Sequence, residues 1–486
     1  MLTPRQALAV LPDNPALLNE AGNALSGDPS AALPWFRRAA HLAPDQPEPH
    51  ANLSAALLAI ERPDEALSAG MTALVLAPGN AEAWNNLGNA RFELRDYIPA
   101  LSAFRRARAL HPQFADACIN DGGLRLDLGQ AEEGGRISRL AVALAPQLPG
   151  AWNNLGNGLL LECRLDESET AFRRALALAP DDAQIHFNRA AVLLKQGRMA
   201  EGWREYEWRR RTPAALVRRR AFDPPDWPGG DPAGRTLLIS TEQGYGDALQ
   251  FCRFASWLAE RGARVLVRTD AALVRLLSTL AGVETVLAFD DEPPPFDFHL
   301  PAMSLPHLCG EMPVAVPYLA ADPAAAARWR ERLAALPGRK IGLAWAGNPR
   351  PAQRSAHLLD SRRSLTPGHF AALGAYDGVT LVSLQKHAGA EDLPVIDWTA
   401  ELADFADTAA LVEALDMVVS VDTSVAHLAG ALGKPVCILS RFDGCWRWLL
   451  DRDDTPWYPT ARLFRQARPG DWELPLRMLV KHIVTL

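Results

Sequence analysis

The six cysteines of this 486-residue sequence are scattered, and no two of them form a CxxC pair. Paired spacing is typical of zinc sites and disulfide frameworks, so neither is expected to organise the fold. No run reaches the roughly 18 apolar residues that cross a bilayer. No basic segment followed by a long apolar run opens the chain. We therefore expect neither a secretory leader nor stable membrane insertion, and a cytoplasmic location.

Excess positive charge is also missing, because 50 Lys and Arg against 57 Asp and Glu give a net charge of −7. This balance argues against a general binder of nucleic acids or anionic membranes. The exception is a basic stretch from Arg204 to Arg220. We interpret it as a solvated capping helix, with a nucleotide or anion site as the alternative. Two acidic clusters, at 290–292 and 451–454, are interpreted as solvated charge, so no metal is expected.

A fixed period of 34 residues runs through the first part of the chain. It is kept by five prolines and five asparagines: Pro44, Pro78, Pro112, Pro146, Pro180, Asn52, Asn86, Asn120, Asn154 and Asn188. A period in this range indicates a solenoid, and 34 residues is the length of a tetratricopeptide (TPR) helix-turn-helix unit. Each proline is expected to end the second helix of its repeat. Residues 1–212 thus resemble the TPR family, with about six repeats.

The five asparagines lie on the predicted first helices, which line the groove where TPR arrays bind partners. An asparagine side chain offers one acceptor and two donors, which suits the backbone of an extended peptide. We therefore predict a groove for an acceptor peptide, with tolerated asparagines on a solvated helix face as the alternative. The arrangement resembles the asparagine ladder of protein O-linked glycosyltransferases that carry TPR arrays.

The pattern changes after a connector rich in proline and arginine at 213–233. Short apolar runs alternate with helices, which is typical of parallel sheets covered on both faces. We predict two doubly wound lobes, at 234–337 and 338–486. The predicted strands are Thr236–Ser240, Arg264–Arg268, Glu284–Ala288, Phe296–Leu300, Ile341–Trp345, Val379–Leu384, Met417–Val421 and Val436–Leu439. Ligands of such folds bind beyond the carboxyl ends of the strands.

Two strand-to-helix turns carry the candidate chemistry. The first, Gly244-Tyr245-Gly246-Asp247, is expected to open a helix over Ala248–Glu260, where Asp247 is either a helix cap or a catalytic group. The second contains Asp422, Thr423, Ser424 and His427 at the start of a short helix. A helix N-terminus favours a diphosphate, because its backbone N–H groups and its dipole attract negative charge.

The run DTSxxHLAGALGxP, with the upstream GxGD turn, resembles the ADP-heptose:lipopolysaccharide heptosyltransferase family, which has the GT-B fold. With EQGYGDALQF, WAGNP, RRS and SLQ after a TPR array, the sequence is similar to bacterial TPR-containing glycosyltransferases, some of which modify flagellin. The resemblance implies an acceptor-side lobe followed by a nucleotide-sugar lobe, and a general base at Asp247. The donor-binding positions that it implies are Gly244, Gly246, Gly347, Asn348, Arg363, Ser364, Gln385, Asp422, Thr423, Ser424 and His427.

The sequence therefore predicts an inverting glycosyltransferase that uses a nucleotide sugar as co-substrate, without a metal or other cofactor. The expected partner is a protein acceptor in the TPR groove, such as flagellin. Two alternatives stay open: a TPR binding scaffold with a degenerate transferase domain, and a heptosyltransferase-like enzyme that acts on a lipid or polysaccharide.

Overall fold

The computed structural model describes residues 13–212, 224–310, 312–313, 315–350, 354–386 and 393–485. The chain divides into two compact units, Met1–Pro180 and Asp181–Leu486, and each is described by itself. Among the described residues, no helix combines the length and the apolar character needed to cross a bilayer.

The first unit consists of helical hairpins that follow one another at the period of the prolines. Its helices are α1 Pro15–Asn23, α2 Pro29–Leu42, α3 Pro47–Ala59, α4 Pro63–Leu76, α5 Ala81–Glu93, α6 Tyr97–Leu110, α7 Ala115–Asp127, α8 Ala131–Leu144, α9 Pro149–Leu161 and α10 Leu165–Leu178. Each second helix ends two residues before a ladder proline, as predicted. The residue before a proline is driven out of the helical region, which explains this shared end point.

Glycine lets the two helices of a hairpin approach closely. A Cβ placed on Gly88 of α5 would lie 2.4 Å from the ring of Phe104 on α6. Gly156 and Phe172 repeat this contact in α9 and α10. Phe104 and Phe172 are fully buried, so the aromatic ring fills the space that the missing side chain leaves.

A sixth hairpin, α11 Ala183–Lys195 and α12 Met199–Tyr206, belongs to the second unit. Trp203 of α12 is buried and packs edge-on against Phe251 and Trp446. The sequence analysis placed this hairpin in the TPR array, which it ended at residue 212. In the structure, the buried side chains of the hairpin belong to the same hydrophobic core as those of the sheets. The predicted connector at 213–233 is described from Pro224 onward, and its first part lies outside the described residues.

The first sheet of this unit has four parallel strands in the order β3-β2-β1-β4. Its strands are β1 Thr236–Ser240, β2 Arg264–Thr269, β3 Val283–Ala288 and β4 Phe298–Pro301. The helices of this region are α13 Tyr245–Phe251, α14 Arg253–Glu260, α15 Ala271–Leu277 and α16 Leu305–Cys309. The single helix predicted at Ala248–Glu260 is thus two helices that meet at Cys252, and the first of them begins three residues earlier.

The second sheet has six parallel strands in the order β10-β9-β8-β5-β6-β7. Its strands are β5 Arg339–Ala344, β6 Val379–Ser383, β7 Val395–Ile396, β8 Met417–Val421, β9 Val436–Ser440 and β10 Ala461–Arg465. The helices are α17 Pro323–Ala334, α18 Arg354–Arg363, α19 Ala371–Gly374, α20 Phe405–Ala414, α21 Ser424–Ala431 and α22 Glu473–Thr485. All eight predicted strands are found within two residues at each end, whereas β7 and β10 were missed.

Candidate functional site

Asp247 lies in the first turn of α13, directly after β1. Its Oδ2 accepts a hydrogen bond from the backbone N–H of Gly244 at 2.9 Å, so the carboxylate closes the start of its own helix. Its Oδ1 contacts a guanidinium nitrogen of Arg447, which follows β9. Both oxygens of the predicted general base therefore have partners in this structure.

Arg447 holds this carboxylate from a buried position. Its Nε donates to the side-chain oxygen of Gln250 on α13, and its guanidinium lies 4.2 Å from the centre of the Trp446 ring. Burial disfavours the charge, but the neighbouring Cys445, Asp247 and Tyr206 outweigh it and raise the pKa of Arg447. The sequence analysis missed this residue. An arginine between two tryptophans was the available signal, because a cation in apolar sequence needs a buried partner.

The second turn carries the start of α21. Thr423 is the residue that precedes the helix, but its side chain makes no capping hydrogen bond. Its hydroxyl lies instead 3.0 Å from that of Ser420, at the end of β8. The backbone carbonyl of Asp422 accepts a hydrogen bond from Arg363 at 2.7 Å. The first N–H groups of α21 thus have no side-chain cap from Thr423, and an uncapped helix start attracts anions.

His427 lies within α21 and is buried. Its Nδ1 is 2.9 Å from the hydroxyl of Tyr458, and its ring stacks on that of Trp448. Desolvation, reinforced by the charges of Arg447, Arg253 and Arg363, holds the pKa of His427 well below its usual range. A Cβ on Gly246 would lie 2.7 Å from this ring, so α13 and α21 are in close contact. The histidine is therefore neutral and suited to hydrogen bonding.

Three further positions that the sequence predicts for donor binding, Gly347, Ser364 and Gln385, form hydrogen bonds around the end of β5. The backbone N–H of Gly347 donates to the hydroxyl of Ser364 at 3.0 Å, and Gln385 accepts from the N–H of Ala346 at 2.8 Å. A Cβ on Gly347 would lie 1.9 Å from a carboxylate oxygen of Asp360, so this position requires glycine. Asp360 also binds Arg363 at 3.0 Å and was another residue that the sequence analysis missed.

Asn348 uses its side chain within its own loop, where it accepts from the N–H of Arg350 at 3.1 Å. Among the predicted positions, the structure brings Gly246 against His427 and joins Arg363 to Asp422, while Asp247 contacts Arg447. Four aromatic residues that follow β9 are buried core side chains: Trp446, Trp448, Trp457 and Tyr458.

The asparagine ladder joins neighbouring repeats. The Nδ2 of Asn120 donates to Asn85 at 3.0 Å, and that of Asn154 donates to the carbonyl of Ile119 at 2.8 Å. Asn52 donates in the same way to Asn19 and Asn23 of α1, and Asn188 accepts from Gln184 within its own helix. The side chain of Asn86 makes no hydrogen bond in the described part of the chain. Several of the asparagines therefore hold neighbouring repeats together, and the side chain of Asn86 is available to bind a ligand.

Family models match this chain within its repeats. Two tetratricopeptide repeat models match residues 81–114 and 163–207. The chain therefore carries TPR repeats, in a helical solenoid that precedes parallel sheets flanked by helices. Such arrays are protein-interaction modules.

Among individual proteins, the chain is 32% identical over 334 residues to Protein FlbA of Caulobacter vibrioides, a match that covers 60% of this chain. It spans 54% of the length of that protein. The thermophilic TPR protein TTC0263 of Thermus thermophilus is 26% identical, over 37% of this chain and all of that one, with a TM-score of 0.33. The Cut9–Hcn1 hetero-tetramer of the APC/C matches at 16% identity, over 43% of this chain and 42% of that one, with a TM-score of 0.40.

Proposed function

We propose that this chain is a metal-independent inverting glycosyltransferase with a GT-B fold, which transfers a sugar from a nucleotide-sugar donor to a protein acceptor. One observation carries the proposal. Helix α13 carries Asp247 and follows a strand of the first sheet, whereas α21 follows a strand of the second sheet. The two helices touch where Gly246 of α13 approaches the ring of His427 on α21. A carboxylate beside an anion-attracting helix end is what base-assisted transfer from a sugar phosphate requires.

In the proposed reaction the acceptor hydroxyl oxygen attacks the anomeric carbon, and the bond from that carbon to the phosphate oxygen breaks. Asp247 takes the hydroxyl proton, and the nucleotide leaves with the bonding electrons. The N–H groups at the start of α21 and the guanidinium of Arg363 stabilise the negative charge that develops on the phosphate. His427, being neutral, orients the donor through a hydrogen bond.

A TPR scaffold without transferase activity is the second candidate. It is favoured by the partners of Asp247, since Arg447 and the Gly244 N–H occupy both of its oxygens. If the chain is an enzyme, substrate binding displaces Arg447 from the carboxylate. If it is a scaffold, the contact is permanent and Asp247 is structural.

Thermal unfolding with a panel of ADP-, UDP-, GDP- and CMP-sugars separates the two candidates. A bound donor stabilises the fold by mass action, so one member of the panel should raise the melting temperature. Asp247→Asn should then keep this shift and lose sugar transfer. If no nucleotide sugar changes the melting temperature of the wild-type chain, the transferase proposal is wrong and the scaffold is favoured.

Asn86 allows a test of the acceptor groove that is independent of the donor site. We propose purified flagellin as the first acceptor, because the sequence resembles flagellin glycosyltransferases. Asn86→Ala should weaken flagellin binding while leaving folding intact, because no internal hydrogen bond is lost. Glu82→Ala, an exposed change on the same helix, is the matched control. Equal flagellin binding by both variants would show that Asn86 does not take part in binding flagellin.

A further inference from the structure

Arg441 follows β9 at the carboxyl edge of the second sheet. Strands β8 and β9 pair in parallel, with Val421 opposite Leu439, so Thr423 and Arg441 each stand two residues beyond this pair. Arg441 therefore emerges beside the start of α21, at the edge where doubly wound folds bind their ligands.

The guanidinium of Arg441 is buried but poorly satisfied. The residue is only 8% exposed, and its Nε and Nη1 atoms have no hydrogen-bond partner in the part of the chain that the structure describes. A carboxylate oxygen of Asp443 lies 3.4 Å from Nη1, without forming a hydrogen bond. A buried unpaired donor on a charged group is costly, so these two N–H groups indicate a missing acceptor.

Two further cations converge on Asp443. Arg362, at the end of α18, lies 3.3 Å from the same carboxylate oxygen. The ammonium of Lys195, a buried residue on α11, donates to the backbone carbonyl of Asp443 at 2.8 Å. Two guanidinium groups thus face the carboxylate of Asp443, and an ammonium group binds the backbone carbonyl of the same residue. A cluster of this sign and composition suits a phosphate, whose several oxygens accept from guanidinium and ammonium groups.

We propose that Arg441, with Arg362 and Lys195, binds a phosphate group of the nucleotide, and that Asp443 occupies this place when the site is empty. The assignment deepens the proposed function and rests on it. Arg441 would act beside Arg363, whose Nε and Nη1 already bind Asp360 and the carbonyl of Asp422. Lys195 extends the site to α11, so a helix of the last repeat hairpin contacts the nucleotide region.

Titration calorimetry with inorganic pyrophosphate, and with ADP, UDP, GDP and CMP, tests this assignment. Arg441→Gln should weaken binding of pyrophosphate and of the preferred nucleotide about tenfold, the expected loss for a charge-assisted hydrogen bond. Asp443→Asn should tighten pyrophosphate binding several-fold, because the competing carboxylate is removed. Arg462→Gln, on β10 and largely exposed, is the matched control and should bind like the wild type.

The thermal stability of each variant is measured alongside binding. The Nε and Nη1 atoms of Arg441 make no internal hydrogen bond, so none is lost from them when Arg441 is replaced. We therefore expect the melting temperature of Arg441→Gln to equal or exceed that of the wild type. Unchanged nucleotide affinity in Arg441→Gln would overturn the assignment while leaving the transferase proposal intact. If the wild-type chain binds no nucleotide, the transferase proposal is overturned. If it binds no pyrophosphate either, the proposed phosphate site is overturned as well.

Discussion

The carboxylate of Asp247 contacts the guanidinium of Arg447, which lies 200 residues later in the chain. This ion pair joins the turn after the first β-strand to the loop after β9. Because Arg447 is buried, the pair both positions the proposed base and contributes to the stability of this unit. A change at Asp247 is therefore expected to affect folding as well as activity.

We expect Asp247→Asn to lower the free energy of unfolding by about 3 kcal/mol, because it leaves a buried guanidinium without its counter-charge. Asp454→Asn, which breaks an exposed pair with Arg452, should change the stability far less, because solvent screens that pair. Urea unfolding of both variants measures the difference. Equal stability of the two would show that the Asp247–Arg447 contact contributes little, and activity loss in Asp247→Asn could then be assigned to chemistry alone.

Gly88 is expected to be irreplaceable within its hairpin. Gly88→Ala places a methyl group 2.4 Å from the Phe104 ring and should destabilise the array by about 2 kcal/mol through overpacking. Gly79→Ala is the matched control, because no atom lies within 4 Å of the added methyl group. Hydrogen exchange in α5 and α6 should rise for Gly88→Ala and not for Gly79→Ala. Similar protection in both variants would contradict the close-contact argument.

Asp121 is a buried charge within the repeats. Its side chain is fully buried and pairs with Arg108 of α6 and with Arg125, one turn further along α7. Asp121→Asn should cost about 3 kcal/mol, since two partly buried cations lose their shared carboxylate. Asp116→Asn, exposed on the same helix, should be nearly neutral. Chemical unfolding followed by circular dichroism compares them, and a neutral effect at Asp121 would show that the arginines find other partners.

His427 is expected to make stability depend on pH. Its pKa is well below its usual range in the folded chain because of burial, so below about pH 6.5 the unfolded chain binds more protons. The contribution of His427 is therefore fully present above about pH 6.5 and is lost as the pH falls toward the folded pKa. Melting temperatures measured at about pH 7.5 and about pH 5.5, on either side of the ordinary histidine pKa, should differ less for His427→Gln than for the wild type. An unchanged pH dependence would assign the effect to other groups, such as His299, whose pKa is also lowered by burial.

Local patterns in the sequence were enough to predict the elements of the fold. Each second helix ends before its proline because the ring excludes the preceding residue from helical backbone angles. Apolar runs located all eight predicted strands, because buried parallel strands need continuous apolar sequence. The edge strand β7 was missed because its two residues, Val395 and Ile396, are too few to form a pattern. Strand β10 was missed as well.

Only part of the candidate site could be predicted from the sequence. Gly347, Asp247 and the turn before α21 stand next to strand ends, where short-range patterns mark them. Their partners Asp360 and Arg447 do not directly follow a strand and carry no such mark. Arg441 does follow β9 directly, but the sequence analysis did not single it out.

What the sequence by itself determined is the period of 34, the helices that the prolines end and the parallel strands, because all of these depend on neighbouring residues. Only the tertiary structure decided that Arg447 holds Asp247, that asparagines bridge successive repeats and that Arg441 is buried with unsatisfied donors. The physical reason is that desolvation and pairing depend on which distant side chains share a volume. No periodicity along the chain records that information.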